Sequence, residues 1–296
     1  MYKTIILGSS GFIGQNLIKR NPNSEGVSLR DGNWKNQISD AEVIINLVGK
    51  AHDHKGTATE QDFRYANVDL AKEIFNEFLK SNAKLLIHIS SIAAQEEFES
   101  SKPLKEENQC HPFSSYGKTK REAEEWLLQQ NLPEKKKLII IRPCMVHGPG
   151  NKGNLNLLYK FVQKGIPYPL AAFENKRSFL SIDNLNFLIL EMLSNKNVDS
   201  GIYNFADDEV LSTNELVKLI ANTSGKKEKL WKISSKLISA TAKMGDVMKL
   251  PLNSERLKKL TENYWVSNQK IKNALGIDQL PVSASEGLEK TIKTFK

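Results

Sequence analysis

A tyrosine and a lysine one helical turn apart could carry acid–base chemistry. Tyr116 and Lys120 stand at positions i and i+4 near the start of a predicted helix over residues 116–130, so both lie on one face. A neighbouring ammonium favours a phenolate, and we therefore expect Lys120 to lower the pKa of Tyr116. A phenol tuned in this way serves as a general acid and base near neutral pH. Ser91 follows a predicted strand, and we expect its hydroxyl to donate a hydrogen bond to an oxygen that gains charge.

Three glycines near the start of the chain predict a phosphate-binding turn. Gly8, Gly11 and Gly14 follow a predicted strand over residues 3–7 and open a predicted helix over residues 11–19. In such a turn the glycines allow a tight bend, a close backbone approach to a pyrophosphate, and close packing of the helix on the strand. Free amides at the helix start then bind the phosphates of a dinucleotide. The loop residues expected at this cofactor are Gly8, Ser10, Gly11, Phe12, Ile13 and Gly14.

The end of the second predicted strand bears on the choice between NAD and NADP. Enzymes that use NAD usually place an acidic residue there, where it binds the adenosine ribose hydroxyls. Here the predicted strand over residues 26–29 is followed by Arg30 and then Asp31. A guanidinium at Arg30 suits a 2′-phosphate, whereas Asp31 could still serve NAD. The sequence therefore indicates NAD or NADP, with a slight preference for NADP.

The first half of the chain alternates between apolar strands and amphipathic helices. That alternation predicts an α/β fold, in which a parallel sheet is covered by helices on both faces. Since the carboxyl ends of parallel strands face a common crevice, the glycine loop and Ser91 should meet there. The predicted strands cover residues 3–7, 26–29, 42–48, 84–89 and 137–142, and the predicted helices cover residues 11–19, 67–80 and 116–130.

The alternation ends after about residue 148. Gly, Pro and Asn cluster at residues 148–151, after which helix and loop alternate without regular strands; one apolar helix (184–193) and one short strand (201–205) stand out. We predict a dinucleotide-binding domain from residues 1–147 plus about 178–211. A smaller, mainly helical lobe is expected from about 148–177 plus 212–296.

Composition limits the kinds of partner. The 296 residues include 42 Lys and Arg against 34 Asp and Glu, a formal net charge of +8, and 40% are hydrophobic, which excludes a disordered chain. The basic residues are spread out and no nucleic-acid-binding motif is present, so a small anionic substrate is expected and nucleic acid is not. No apolar run is long enough to span a bilayer, so no integral membrane segment is expected. With two cysteines expected as reduced thiols and no signal peptide, we expect a cytoplasmic protein.

Taken together, these motifs resemble the extended short-chain dehydrogenases/reductases, specifically the nucleotide-sugar epimerase/dehydratase group. The resemblance implies a Rossmann-type doubly wound parallel sheet with a smaller, mainly helical C-terminal substrate lobe. It also implies that this lobe binds a nucleoside diphosphate sugar such as a UDP-sugar. The residues that carry the resemblance are 8–14, 46–49, 67, 90–91, 116, 120, 141–143, 147–150 and 177–184.

The resemblance implies roles for individual residues. Ser91, Tyr116 and Lys120 match the family's catalytic serine or threonine, tyrosine and lysine, and Ser91 would also contact substrate. Arg177 matches a position that contacts the substrate diphosphate, which suits a bidentate guanidinium. Further positions expected at the cofactor are Leu47, Gly49, Asn67 and Pro143. Further candidate substrate contacts, at the mouth of the second lobe, are Lys152 and Asn154.

Departures from the family pattern narrow the chemistry. The dehydratase subgroup places Asp-Glu directly after its catalytic threonine, whereas this chain has Ile92 and Ala93, which cannot move a proton. We therefore reject 4,6-dehydration. His52 and His54 lack the spacing of a zinc site, so no metal is expected and their loop is placed beside the nicotinamide.

Three functions remain open at this point. Residues 147–154, 165–170 and 175–179 most resemble reductases of UDP-2-acetamido-2,6-dideoxy-4-ketohexoses, which serve bacterial surface polysaccharides. The leading hypothesis is accordingly NAD(P)-dependent reduction of C4 in a UDP-4-keto-6-deoxyhexose. The alternatives are a UDP-hexose 4-epimerase, acting on UDP-glucose or UDP-N-acetylglucosamine with retained NAD, and a non-catalytic NAD(P)-sensing regulator. Family members are often dimers, and the resemblance makes the helices over 67–80 and 116–130 the candidate interface of a homodimer.

Overall fold

The structure, a computed structural model, describes residues 2–51, 57–151, 154–195, 197–248 and 253–295. The strands are β1 (Thr4–Leu7), β2 (Ser24–Val27), β3 (Val43–Asn46), β4 (Leu85–Ile89), β5 (Lys137–Pro143), β6 (Met145–His147), β7 (Arg177–Ser181), β8 (Gly201–Phe205) and β9 (Val210–Leu211). The α-helices are α1 (Phe12–Arg20), α2 (Trp34–Gln37), α3 (Glu60–Arg64), α4 (Leu70–Lys80), α5 (Ser115–Leu128), α6 (Asn154–Gln163), α7 (Ile182–Ser194), α8 (Thr213–Thr223), α9 (Ser235–Met248), α10 (Ser254–Thr261), α11 (Gln269–Leu275) and α12 (Ala284–Ile292).

The main sheet is parallel and runs in the order β2-β1-β3-β4-β5-β8. From β1 the chain moves to β2 on one side and then returns to β3 on the other side of β1. This reversal opens a crevice at the carboxyl ends of β1 and β3, where ligands bind in doubly wound sheets. The predicted α/β fold with a parallel, doubly wound sheet is thereby confirmed.

Two hydrophobic layers cover the sheet because successive residues of a strand point to opposite faces. Ile6 belongs to the layer that includes residues of α1, α7 and α11. Its neighbour Ile5 belongs to the layer formed with α2, α4 and α5. Most of the strand residues in both layers are β-branched, which explains why the sequence predicts buried strands so clearly here.

A third hydrophobic cluster lies in the C-terminal part of the chain. It joins residues of α6, α8, α9 and α12 and includes Phe179 of β7. The sequence predicts no regular strands after about residue 148 other than 201–205, and this is wrong, since β7 and β9 follow that residue and form a three-stranded sheet with β6. Two of these strands, β6 and β9, are too short for their side-chain alternation to reveal them. The boundaries of the predicted second lobe stay a prediction.

Among the element boundaries that differ from the sequence prediction, two lie near the candidate site. The second strand covers Ser24–Val27 instead of 26–29, because it pairs with β1 in a register that ends at Leu7 and Val27. The helix predicted over 67–80 is preceded by α3 and by a π-helical turn, Tyr65–Asp69, and only then continues as α4. Within the residues described, no helix combines the length and apolar character needed to cross a bilayer.

Candidate active site

The glycine loop packs where its spacing predicts. Gly8 has a φ of 80°, and a Cβ added there would lie 3.0 Å from the carbonyl carbon of Leu47. A Cβ added to Gly14 would lie 2.6 Å from the Cα of Ser9, so α1 approaches the loop too closely for a larger residue. A Cβ added to Gly11 would meet only the Gly8 carbonyl oxygen, at 3.4 Å. The loop is therefore tight on its inner side and open at Gly11.

The start of α1 offers amide groups to this opening. Gly11 precedes Phe12 as the N-cap residue, no side chain caps the helix, and its first turn contains no acidic residue. Such an end attracts an anion through its free N–H groups and the helix dipole. Ser10 is exposed beside it, and its carbonyl accepts a hydrogen bond from Gln15 Nε2 at 2.9 Å. Ile13, in the first turn, is partly buried against the first hydrophobic layer.

Gly49, Asn67 and Lys120 converge in the loop after β3. A Cβ added to Gly49 would lie 2.9 Å from both Asn67 Oδ1 and Lys120 Nζ. Asn67 forms hydrogen bonds with both backbone groups of Lys50, the residue after Gly49. Its Oδ1 accepts from Lys50 N at 2.8 Å, and its Nδ2 donates to Lys50 O at 3.1 Å. Asn67 Nδ2 also donates to Thr119 Oγ1 at 3.0 Å. Asn67 lies in the π-helical turn, a feature often found at functional sites.

The structure brings Ser91 and Tyr116 together. Ser91 begins a short 3-10 turn, and its hydroxyl accepts a hydrogen bond from Ala93 N at 3.2 Å. Burial raises the pKa of Tyr116 above its ordinary value, while a hydrogen bond with the Ser91 side chain acts to lower it and the charge of Glu97 raises it. The Tyr116 phenol is accordingly protonated at neutral pH, and it is hydrogen-bonded to the Ser91 hydroxyl. Both groups would contact the same substrate oxygen.

Lys120 does not act on Tyr116 as expected. Its Nζ donates to the backbone oxygen of Ile89 at 2.9 Å, at the end of β4. Burial lowers the pKa of Lys120 to about 8, with the charge of Glu124 opposing that shift. The predicted lowering of the Tyr116 pKa by Lys120 is therefore wrong for this structure, because burial outweighs other influences on the phenol. The ammonium instead faces Gly49.

A buried ion pair behind Lys120 was missed by the sequence reasoning. Glu124, one turn further along α5, is fully buried with Arg142 of β5. The Arg142 Nε and Nη2 donate to the two Glu124 oxygens at 2.9 and 2.6 Å, and Ser90 Oγ donates to Oε1 at 2.5 Å. The i+4 spacing from Lys120 was an available signal, but nothing in the sequence identified Arg142 as the partner.

Glu97 was also missed, and it fixes the start of α5. Its Oε1 accepts from the backbone N of Phe113 at 3.0 Å and from the N and Oγ of Ser114 at 2.9 and 3.0 Å. Ser114 is the N-cap of α5 and its Oγ accepts from Gly117 N at 3.1 Å. A single carboxylate thus holds the turn that presents Tyr116. Because Glu97 lies in an irregular segment far from Tyr116 in sequence, no periodic pattern signals this contact.

A neutral histidine lies below the same strand ends. His88 of β4 is buried, and its Nδ1 lies 3.0 Å from Nδ2 of Asn46, the last residue of β3. Burial lowers the pKa of His88 to about 3, and the charge of Lys120 acts in the same direction. The imidazole is therefore uncharged at neutral pH, and the charge of Lys120 helps to keep it so.

The residues after β2 occupy a turn instead of a strand end. The N of Asp31 donates to Ser28 O at 3.1 Å, so Arg30 is an exposed turn residue. The Asp31 carboxylate accepts from Asn33 N at 2.9 Å and from Gln37 Nε2 at 2.8 Å, and these hydrogen bonds lower its pKa. The Asp31 carboxylate is therefore hydrogen-bonded to neighbouring residues of its own turn and of α2.

The candidate substrate residues are only partly described. Arg177 opens β7 and forms a backbone bridge with Tyr264; burial lowers its pKa, while Tyr264 and Tyr168 oppose that shift. Pro143 ends β5, buried and paired with Phe205. Asn154 begins α6, and its side chain is not described. Lys152, His52 and His54 lie outside the described residues.

Comparisons with known proteins agree with this arrangement. The sequence matches the NAD dependent epimerase/dehydratase family over residues 4–206. It is 30% identical over 248 residues to a UDP-glucose 4-epimerase of Vibrio cholerae, covering 75% of this chain and 76% of that protein. It is 25% identical over 322 aligned positions to the N-acetyl-alpha-D-glucosaminyl-diphospho-ditrans,octacis-undecaprenol 4-epimerase of Escherichia coli O157:H7, covering 98% of this chain and 94% of that protein.

The fold is also shared with solved structures. A UDP-glucuronic acid 4-epimerase from Bacillus cereus in complex with NAD superposes with a TM-score of 0.74. The two chains are 18% identical, and the match covers 98% of this chain and 97% of the other. At that identity the similarity extends to the fold alone.

Proposed function

The chain belongs to the NAD-dependent epimerase/dehydratase family, and we propose that it is a 4-epimerase of a diphosphate-linked sugar. The hydrogen-bonded pair of Ser91 and Tyr116, with Lys120 one turn beyond it, supports oxidation and reduction at the sugar. The observation that favours epimerisation is the sequence similarity to two 4-epimerases. The residues after Ser91 are Ile92 and Ala93, neither of which can move a proton. The site therefore has the groups for oxidation and reduction at a carbinol carbon but lacks, after Ser91, an acid and base for eliminating water.

The chain's own residues fit a bound dinucleotide. The opening at Gly11 and the uncapped start of α1 suit a pyrophosphate. Gly49 packs closely against Asn67 Oδ1 and Lys120 Nζ, each 2.9 Å from where a Cβ would stand, and the Lys120 ammonium is a donor suited to a ribose hydroxyl. When bound, the nicotinamide supplies the acceptor and donor of hydride. Leu47 and Pro143, at the ends of β3 and β5, are proposed as further contacts.

The proposed catalytic residues act on the oxygen at C4 of the sugar and on the proton of that hydroxyl. We assign Tyr116 the role of general base toward the C4 hydroxyl when it is oxidised, and of general acid when the carbonyl is reduced. Ser91 hydrogen-bonds the same oxygen in both directions. The Lys120 ammonium, held at the Ile89 carbonyl and close to Gly49, is assigned to the nicotinamide ribose of the bound dinucleotide.

The choice of cofactor follows from the turn after β2. Asp31 is hydrogen-bonded to Asn33 and Gln37, whereas Arg30 is exposed. A free guanidinium favours the 2′-phosphate of NADP, and family membership favours NAD. We propose that the site accepts both, with Arg30 improving the affinity for NADP.

The substrate class rests on Arg177 and on the relatives. A guanidinium suits a diphosphate, which occurs in UDP-sugars and equally in sugars linked to a polyprenol. One relative is a UDP-glucose 4-epimerase, and another, similar over 98% of this chain, acts on an undecaprenol-linked N-acetylglucosamine. We propose a UDP-hexose or UDP-N-acetylhexosamine as the substrate, with the lipid-linked sugar as the alternative carrier.

Reduction of a UDP-4-keto-6-deoxyhexose is the second candidate, since the same three catalytic residues perform it. The test is turnover of UDP-glucose, UDP-N-acetylglucosamine and the matching undecaprenol-linked sugar without added cofactor, beside a UDP-4-ketohexose with NADPH or NADH. Epimerisation without added reductant supports our proposal, and Tyr116→Phe should lower its rate about a hundredfold or more. The control Tyr159→Phe, which removes a phenol hydroxyl from α6, should leave the rate unchanged. Turnover of the 4-ketohexose alone would favour the reductase.

A further inference from the structure

Helix α9 has two apolar faces. One face, formed by Ile238, Ala242 and Gly245, is buried. The opposite face, here called the α9 outer face, consists of Leu237, Ala240, Met244, Val247 and Met248. These positions follow helical spacing and lie on one side of the helix. Leu237 and Met244 are each 59% exposed, Val247 is 84% exposed and Met248 is 62% exposed.

The exposed apolar residues of the α9 outer face are unusual because they form one continuous stripe. Single exposed apolar residues are common on protein surfaces, but a contiguous apolar stripe on one helix marks an interaction site. Helix α9 packs on the core through its opposite face alone, so core packing does not explain why the α9 outer face is apolar. Trp231, just before the helix, is 58% exposed as well. An aromatic residue next to such a stripe is typical of surfaces that meet lipid.

Basic residues border the α9 outer face. Lys236 and Lys243 lie along one edge of the stripe by helical spacing, and both are exposed. The preceding segment adds four exposed lysines and one acidic residue, Glu228; these lysines are Lys226, Lys227, Lys229 and Lys232. Lysine side chains beside an apolar stripe can extend to lipid head groups while their stems lie on the apolar surface.

Asp246, the acidic residue of α9, does not lie on the α9 outer face. Asp246 lies on neither the stripe nor its lysine edge, and it accepts hydrogen bonds from Ser254 N at 2.8 Å and Ser254 Oγ at 2.6 Å, at the start of α10. Its charge is thereby turned toward the protein. The outward surface combines apolar contact area with positive charge, which is complementary to an anionic lipid bilayer.

We propose that the α9 outer face docks this protein on an anionic membrane surface. The helix lies in the plane of the interface, with Leu237, Met244 and Val247 among the lipid chains and Lys236 and Lys243 at the phosphates. A second copy of the chain fits this face less well, because an isologous contact would bring the same lysines together. The docking stands apart from the catalytic proposal and uses none of its residues.

The test is flotation of the full chain with vesicles. Phosphatidylcholine vesicles are compared with vesicles that also contain phosphatidylglycerol, at low and high salt. We expect binding to the anionic vesicles, weakened by salt. The triple variant Leu237→Gln, Met244→Gln, Val247→Gln should lose binding about tenfold or more, as should the double variant Lys236→Gln, Lys243→Gln. The matched control is Leu157→Gln, which changes an exposed leucine of α6 and should bind like the wild type.

Two further readouts separate the alternatives. Melting temperatures should be unchanged in all variants, because the altered residues are exposed. Turnover of a soluble substrate should also be unchanged, so that loss of membrane binding is distinguishable from failure of the catalytic proposal. Absence of binding to anionic vesicles at low salt would overturn the inference. So would a wild-type dimer that the triple variant converts to a monomer while vesicle binding is unaltered.

Discussion

The Lys120 ammonium is buried and donates a hydrogen bond to the Ile89 carbonyl oxygen. Burial lowers the pKa of this lysine. Its pKa in the folded protein is about 8, below its ordinary value of 10.5, chiefly because of burial. Below pH 8 the lysine is protonated in both the folded and unfolded states. Between pH 8 and 10.5 the unfolded state binds the proton and the folded state releases it, so folding stability from this residue rises with pH.

We predict that this rise is measurable as a difference between variants. The free energy of unfolding of the wild type minus that of Lys120→Met should be constant below pH 8. It should then increase by up to about 1.4 kcal/mol per pH unit toward pH 10.5. The measurement is urea unfolding of cofactor-free protein at a series of pH values. Lys118→Met, an exposed lysine of the same helix, should give a flat difference, and a flat result for Lys120→Met would contradict the buried cation.

Arg30 is the residue that should tune cofactor preference. Replacing it with serine removes the exposed guanidinium proposed to bind a 2′-phosphate, while Asp31 remains hydrogen-bonded to Asn33 and Gln37. We expect Arg30→Ser to weaken NADPH binding about tenfold and to leave NADH binding within a factor of about two. Calorimetric titration with both cofactors measures this, with Lys84→Ser as an exposed-cation control. Equal losses for both cofactors would remove the proposed role.

At the scale of elements, α1 meets the loop that follows β1 at Gly14. Because a Cβ there would lie 2.6 Å from the backbone of Ser9, Gly14→Ala forces the helix away from the loop. We expect the free energy of unfolding to fall by about 1–3 kcal/mol and cofactor binding to weaken. Gly32→Ala is the matched control, since a Cβ there meets nothing within 4 Å. Thermal and urea unfolding, with and without NAD, would show the difference; equal behaviour of the two variants contradicts the close packing.

The same elements show what a sequence can and cannot predict. The strand cores and the glycine loop were predictable because each depends on local periodicity or on spacing within a few residues. The contact of Glu97 with Ser114 and the pairing of Glu124 with Arg142 depend on tertiary folding, so no local pattern reveals them. The π-helical turn that presents Asn67 and the short strands β6 and β9 were missed for a related reason, since each is only a few residues long.

At the scale of the whole molecule, His88 should make stability sensitive to acid. Its pKa is about 3 in the folded protein, mainly through burial, against an ordinary 6.5. Above pH 6.5 it is neutral in both states. As the pH falls from 6.5 toward 3 the unfolded state takes up a proton that the folded state cannot, so stability is lost.

We therefore expect the wild type to lose stability relative to His88→Gln across that interval. The loss should reach about 1.4 kcal/mol per pH unit. Glutamine keeps a polar partner for Asn46, which limits disruption of the sheet. Urea unfolding between pH 7 and 4 measures the difference. Parallel pH profiles of the two proteins would show that His88 does not stay neutral when folded.

The most direct test of the catalytic account follows the hydrogen at C4. A UDP-hexose carrying deuterium at C4 is incubated with the purified protein without added cofactor, and the products are analysed by NMR and mass spectrometry. If Ser91, Tyr116 and Lys120 serve a closed cycle of oxidation and reduction, the 4-epimer forms and keeps its deuterium at C4. A 4-epimer that carries protium at C4 would contradict the account. So would a protein that leaves this substrate unchanged and only reduces a UDP-4-ketohexose with added NADPH or NADH.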